Sequence, residues 1–104
     1  MAPKRDFDPT FVCVLVRGIA VRHLAALVAI AREGSPSVAA RSVGCSESEL
    51  SRHVSELEGA MGAALVVRAG ANARLTEGGM QMLPHAEAVL SRVEMARAEL
   101  TDPS

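Results

Sequence analysis

The sequence predicts a mainly α-helical fold: three short helices and a two-stranded hairpin, followed by one long helix. Three observations carry that prediction. Apolar residues recur at spacings of three and four along extended segments, the pattern of a helix with one buried stripe. Serine, threonine and glycine stand where those segments start and stop. Finally, 49% of the residues are hydrophobic while only Phe7 and Phe11 are aromatic. A core of Ala, Leu, Val and Met suits packed helices better than a sandwich or barrel. The 104 residues are enough for one domain, or one domain with a short extension.

The elements follow in order. Residues 1–18 form an N-terminal extension: 1–10 are charged and contain proline, and are expected to lack fixed structure, whereas 11–16 fit either a short strand or simple packing. Asp6, Asp8 and Arg17 flank too short an apolar run for an export signal, and no stretch approaches the roughly 20 apolar residues of a membrane span. Cys13 and Cys45 allow at most one disulfide, so they read as reduced thiols of a cytoplasmic protein. From Ile19 to Glu33, Val21, Leu24, Leu27, Val28 and Ala31 define the apolar face of the first helix, which Gly34 stops. Ser35 before Pro36, with Ser37 as the competing cap, opens a short helix over Val38–Val43 that ends at Gly44.

Ser46 with Glu49 is a capping box for the third helix, whose inward stripe is Leu50, Val54, Leu57 and Met61 before Gly62. Leu65–Arg68 and Arg74–Leu75 read as two short strands around a tight loop, Ala69–Ala73, in which Gly70 and Asn72 tolerate positive φ. Thr76 caps the last helix, Glu77–Leu100, and residues 101–104 are a tail. Pro84 is expected to kink its first turns. At about 1.5 Å per residue this helix is longer than so small a core covers. Its apolar line of Leu83, Ala86, Leu90, Val93 and Leu100, interrupted by Arg97, therefore predicts a partner helix.

Two helices joined through Gly44-Cys45-Ser46, with a hairpin after the second, describe a winged helix-turn-helix over residues 19–76, followed by a dimerisation helix over 77–100. From Val21 to Leu100 the sequence resembles the N-terminal DNA-binding domain of LysR-type transcriptional regulators. Ala31-Arg32-Glu33-Gly34-Ser35 is similar to the turn ending that family's first helix, and Ala39-Ala40 falls on its paired alanines. Ser46 to Glu58, S-E-S-E-L-S-R-H-V-S-E-L-E, resembles its S-Q-P-A-L-S-x-x-I-x-x-L-E recognition helix. Arg74-Leu75-Thr76-Glu77-Gly78-Gly79 resembles its L-T-x-A-G entry to the linker helix.

The resemblance implies a recognition helix that enters the major groove. Ser46, Ser48 and Ser51 then offer hydroxyls at its start, Arg52 reaches a phosphate or a guanine edge, and His53 adds a contact. Arg68 and Arg74 approach the backbone or minor groove from the hairpin, while Ser35 and Ser37 bring helix-start amides to a phosphate. Leu83, Ala86, Leu90, Val93, Arg97 and Leu100 form the homodimer contact.

The same surface departs from the family pattern. Glu47 replaces the usual glutamine, Ser48-Glu49 replaces Pro-Ala, Ser55-Glu56 replaces basic residues, and Ala71 stands at the wing tip in place of arginine. Between Ser46 and Thr76, Arg52, Arg68 and Arg74 face Glu47, Glu49, Glu56 and Glu58, one acid in excess. Glu58 matches the family, Glu49 suits the capping box, and Arg52–Glu56 is an i, i+4 pair. Glu47 either stabilises the helix start through the dipole or accepts a hydrogen bond from a cytosine amino group.

Other chemistry is not supported. His23, His53 and His85 lack ligand spacing, so no metal or other cofactor is expected. No nucleophile–base arrangement points to an enzyme, and Gly78-Gly79 is no phosphate loop. Two readings stand: a homodimeric regulator bound to double-stranded DNA, lacking the family's effector-binding domain; or a winged-helix module that pairs with another regulator of the family and does not itself bind DNA. The acidic recognition helix and Ala71 at the wing tip favour the second, and the net charge of −1 supplies no basic field.

Overall fold

The computed structural model describes residues 18–101. The expectations for residues 1–17, Cys13 among them, and for 102–104 lie outside these described residues. Four helices and one hairpin follow in the predicted order: α1 (Val21–Glu33), α2 (Pro36–Val43), α3 (Glu47–Met61), β1 (Val66–Ala69), β2 (Asn72–Leu75) and α4 (Glu77–Thr101).

Each boundary has a local cause. α1 ends at Gly34 and α2 at Gly44, both at left-handed φ (72° and 78°), where a Cβ would be strained. The Ser35 hydroxyl accepts from the Val38 amide at 3.4 Å, and Pro36 occupies the first turn, so α2 begins two residues before the predicted Val38. At the start of α3 the Ser46 hydroxyl accepts from the Glu49 amide at 3.1 Å while the Glu49 carboxylate accepts from the Ser46 amide at 3.0 Å. Thr76 caps α4 by accepting from the Gly79 amide at 2.9 Å, and it donates to the Ala64 carbonyl at 2.7 Å.

α1 runs through the middle of the core, with Leu24, Ala26, Leu27, Val28, Ala29 and Ile30 all buried. One side packs on α2 and the first half of α3, where Ala39 and Ala40 allow close approach and Leu50, Val54 and Ala73 complete the cluster. The other side packs on Leu57, Leu65 and Ala86, with Leu83 and Leu90 of α4 against them. α4 seats itself at Gly79: a Cβ there would lie 2.1 Å from the Leu65 carbonyl oxygen.

Several expectations change. Val21 and Met61 are exposed rather than buried, because they sit at helix ends beyond the reach of neighbouring elements. The hairpin turn is only Gly70-Ala71, which leaves Asn72 in β2 opposite Ala69. α4 continues through Pro84. The carbonyl this proline leaves without an amide is that of Met80, an exposed residue that water reaches. Ala86 is fully buried within the chain's own core, so it belongs to the seat of α4 and not to a surface line.

Candidate nucleic-acid interface

The second helix of the helix-turn-helix, α3, turns about 100° per residue, which sorts its side chains into three groups. Opposite the buried line of Leu50, Val54 and Leu57 stand Ser48, Arg52, Ser55 and Gly59, all exposed. On the flank beside the hairpin lie Glu47, Ser51 and Glu58; on the flank beside α1 lie Glu49, His53 and Glu56. Both flanks are tied down, and the exposed row between them is small and polar, with Arg52 its one large side chain.

The hairpin flank is tied first through Glu58, which accepts from the Leu65 amide at 2.8 Å and the Val66 amide at 3.1 Å. This carboxylate therefore serves the start of β1. Arg68 then reaches back over the helix, donating to the Ser51 hydroxyl at 3.3 Å and standing 3.9 Å from the Glu47 carboxylate. The register explains why. Directly paired residues of an antiparallel ladder share a face, so Arg68 lies with buried Ala73, toward the helices. Arg74 pairs with Val67 on the opposite face and lines an apolar groove with Ile30, Met80 and Leu83. The two hairpin arginines, expected to act together, thus diverge.

The α1 flank is tied by His23, the one buried polar or charged side chain among the described residues, 4% exposed. Its Nδ1 accepts from the Ala20 amide at 2.8 Å, capping α1 where no serine or threonine stands. That acceptor role puts the ring proton on Nε2, which donates to the Glu56 carboxylate, also at 2.8 Å. The hydrogen bond from His23 holds the Glu56 carboxyl below the usual carboxylate range, with Arg52, 3.7 Å away, adding to the effect. His53 turns the same way, its ring edge-on to that of His23 with centroids 5.8 Å apart. Glu49 is likewise held low, first by the Ser46 amide and then by its hydroxyl.

Of the sequence-predicted residues, Ser48, Ser51, Arg52 and Arg68 thus come together with Glu47 along one side of α3. Ser46 and Ser35 are engaged as caps, Ser37 is exposed on α2, and His53 lies toward α1. Sequence reasoning missed Ser55, at the centre of the exposed row, although the i, i+4 spacing from Ser51 signalled it. It also missed the His23–Glu56 bridge, for which a residue separation of 33 left no local signal. Among the described residues there is no group of three or more side chains able to hold a metal ion, and no helix is long and apolar enough to cross a membrane.

The family model described as "Bacterial regulatory helix-turn-helix protein, lysR family" matches residues 21–80. The chain belongs to the LysR family. Its matched segment contains the whole helix-turn-helix, the hairpin and the first residues of α4, Gly79 among them. A probable hydrogen peroxide-inducible genes activator of Mycobacterium avium is 35% identical over 104 residues, covering 97% of this chain and 30% of that protein. The uncharacterized HTH-type transcriptional regulator YdcI of Escherichia coli (strain K12) is 39% identical over 82 residues, covering 79% of this chain and 27% of that one. The chain therefore spans less than a third of the length of these LysR-type relatives. Among solved structures, the BenM DNA-binding domain in complex with benA site 1 DNA is 27% identical, with a TM-score of 0.71 over 82% of this chain and 99% of that chain. The described residues have the fold of a LysR-type winged helix-turn-helix DNA-binding domain, and the relatives it matches are transcriptional regulators.

Proposed function

We propose that this chain binds double-stranded DNA as a homodimer and regulates transcription, with α3 in the major groove. The observation that carries the reading is the exposed side of α3. Ser48, Ser51, Ser55 and Gly59 leave the helix slim enough to enter a groove, while Arg52 and Arg68 supply cationic donors beside it. The likeness to the DNA-bound BenM domain supports the same placement. The acids that weighed against DNA in the sequence are largely accounted for. Glu58 serves the hairpin, Glu49 the cap and Glu56 the buried histidine, so each has a structural partner on a flank of α3.

The second copy is assigned to the outer half of α4. Val89, Val93, Ala96 and Leu100 continue the helix face that carries Ala86, and all four are exposed. Val89, Val93 and Leu100 are exposed in a row, apolar surface that a partner helix would cover. Arg97, expected on this line, is ion-paired with Glu94 at 3.8 Å and sits beside it. Charge reversal tests the DNA face. Arg52→Glu and Arg68→Glu are each expected to abolish binding to duplex DNA in a mobility-shift titration, and an unchanged affinity would remove that residue from the interface.

A further inference from the structure

Two acids stand in the first turn of α3, and the structure gives them different employment. Glu49 is consumed by the cap: one carboxylate oxygen accepts from both the amide and the hydroxyl of Ser46, at 3.0 and 3.3 Å. Glu47 takes no part in the cap. It occupies the leading residue of the helix with its side chain 51% exposed, and its close partner among the described residues is Arg68. Arg68 Nη2 stands 3.9 Å from Glu47 Oε1, and its Nη1 donates to the Ser51 hydroxyl at 3.3 Å. A half-exposed carboxylate thus stands in the first turn of α3 beside an arginine of the hairpin, outside the cap that holds Glu49.

We propose that Glu47 is a specificity-determining residue that accepts a hydrogen bond from the amino group of a cytosine in the major groove. The inference rests on the DNA-binding reading and adds to it which base pair this position selects. A carboxylate offers acceptors and no donor. Guanine presents only acceptors at its major-groove edge, thymine an acceptor and a methyl group, and adenine an acceptor beside its amine. Cytosine alone presents a donor without an acceptor, so it is the base whose edge complements Glu47 without an opposing repulsion. Arg68 offsets the carboxylate charge, which is what lets an acid stand on a surface that meets phosphates. The rival role, a dipole partner at the helix start, makes no distinction among bases.

The test uses the full chain and Glu47→Gln, each equilibrated with a library of duplexes randomised across both half-sites, the bound fraction being sequenced. Binding is then measured on the selected duplex and on one in which the selected C·G pair is replaced by T·A, which exchanges the amine for a carbonyl. The wild-type chain is expected to fix cytosine at one position per half-site and to lose about 5- to 150-fold in affinity on the exchange. Glu47→Gln is expected to keep binding and lose that preference, because an amide both donates and accepts. Identical base preferences in the two proteins would overturn the assignment, as would a uniform gain by the variant on every duplex. Either result leaves DNA binding intact. A wild-type chain that enriches no duplex, and whose binding does not respond to salt, would overturn the DNA-binding reading together with the assignment.

Discussion

Along α4, Gly79, Met82, Leu83, Ala86 and Leu90 are buried or half-buried toward the chain's own core, whereas the residues from Ser91 to Thr101 are all exposed. Gly79 and Ala86 are buried in the first half; Val93, Met95 and Leu100 are bare in the second. One apolar face runs through both halves, docked inside the chain as far as Ala86 and continuing as Val89, Val93, Ala96 and Leu100. The difference teaches that the helix is amphipathic over more length than its own domain uses. Its inner half is a stability element, and we propose that its outer half serves assembly.

The largest effect is expected where the inner half is seated. In Gly79→Ala the new methyl group would meet the Leu65 carbonyl and the Leu75 Cβ, which lie 2.1 and 3.0 Å from its ideal position. Backbone cannot yield cheaply there, so thermal unfolding should show a loss of about 3 kcal/mol. Gly78→Ala, one residue earlier, meets the Ala64 carbonyl at 3.4 Å, Thr76 Oγ1 at 3.6 Å and Leu65 Cδ2 at 3.8 Å, all ordinary contacts, and should be close to neutral. Equal effects of the two would break the account of the seat.

The outer half should respond in the opposite way. Val93→Asp with Leu100→Asp is expected to convert a dimer to a monomer in sedimentation equilibrium while the circular dichroism of α1 to α3 persists. Loss of the whole fold would mean that the two halves are not separable.

Smaller effects belong to the domain alone and should leave the oligomeric mass untouched. Ser46→Ala removes the α3 cap and should cost about 1 kcal/mol in chemical denaturation. Acid should act on the same framework. Glu49 and Glu56 have carboxyl values lowered in the folded state. The stability they contribute is therefore complete above the ordinary carboxylate value of 4.5, and is lost as pH falls through their lowered values. Glu56→Gln should flatten part of that acid limb, leaving the part due to Glu49.

Local rules made much of the fold legible. The Ser46–Glu49 box, Thr76 and the glycines at 34, 44 and 62 are signals within a few residues of one another, and the structure uses each as read. The candidate interface was less legible because its ties are non-local. Whether Arg68 and Arg74 share a face depends on strand register, which a shift of one residue in the loop inverts. Gly70 at the turn and Asn72 at the start of β2 suited a longer loop as well as the tight one observed. His23 looked like one of three scattered histidines, and only the packing of α1 against α3 gives its two nitrogens partners. On α4, lines drawn through Leu90 and Arg97 or through Val89 and Ala96 fit the helical period equally well. The docking of α4 half-buries Leu90 and leaves Val89 exposed, a distinction the helical period alone does not make.

The central claim, that the slim side of α3 in a dimer meets DNA phosphates through few cations, is tested most directly by titrating a duplex bearing the chain's preferred site across salt concentration. Arg52 of each subunit predicts about two phosphate contacts per dimer, and Arg68 up to two more beyond its engagement with Glu47, so the slope of the logarithm of affinity against that of salt should lie between about −2 and −4. A slope near zero, or no binding at low salt, would contradict the claim.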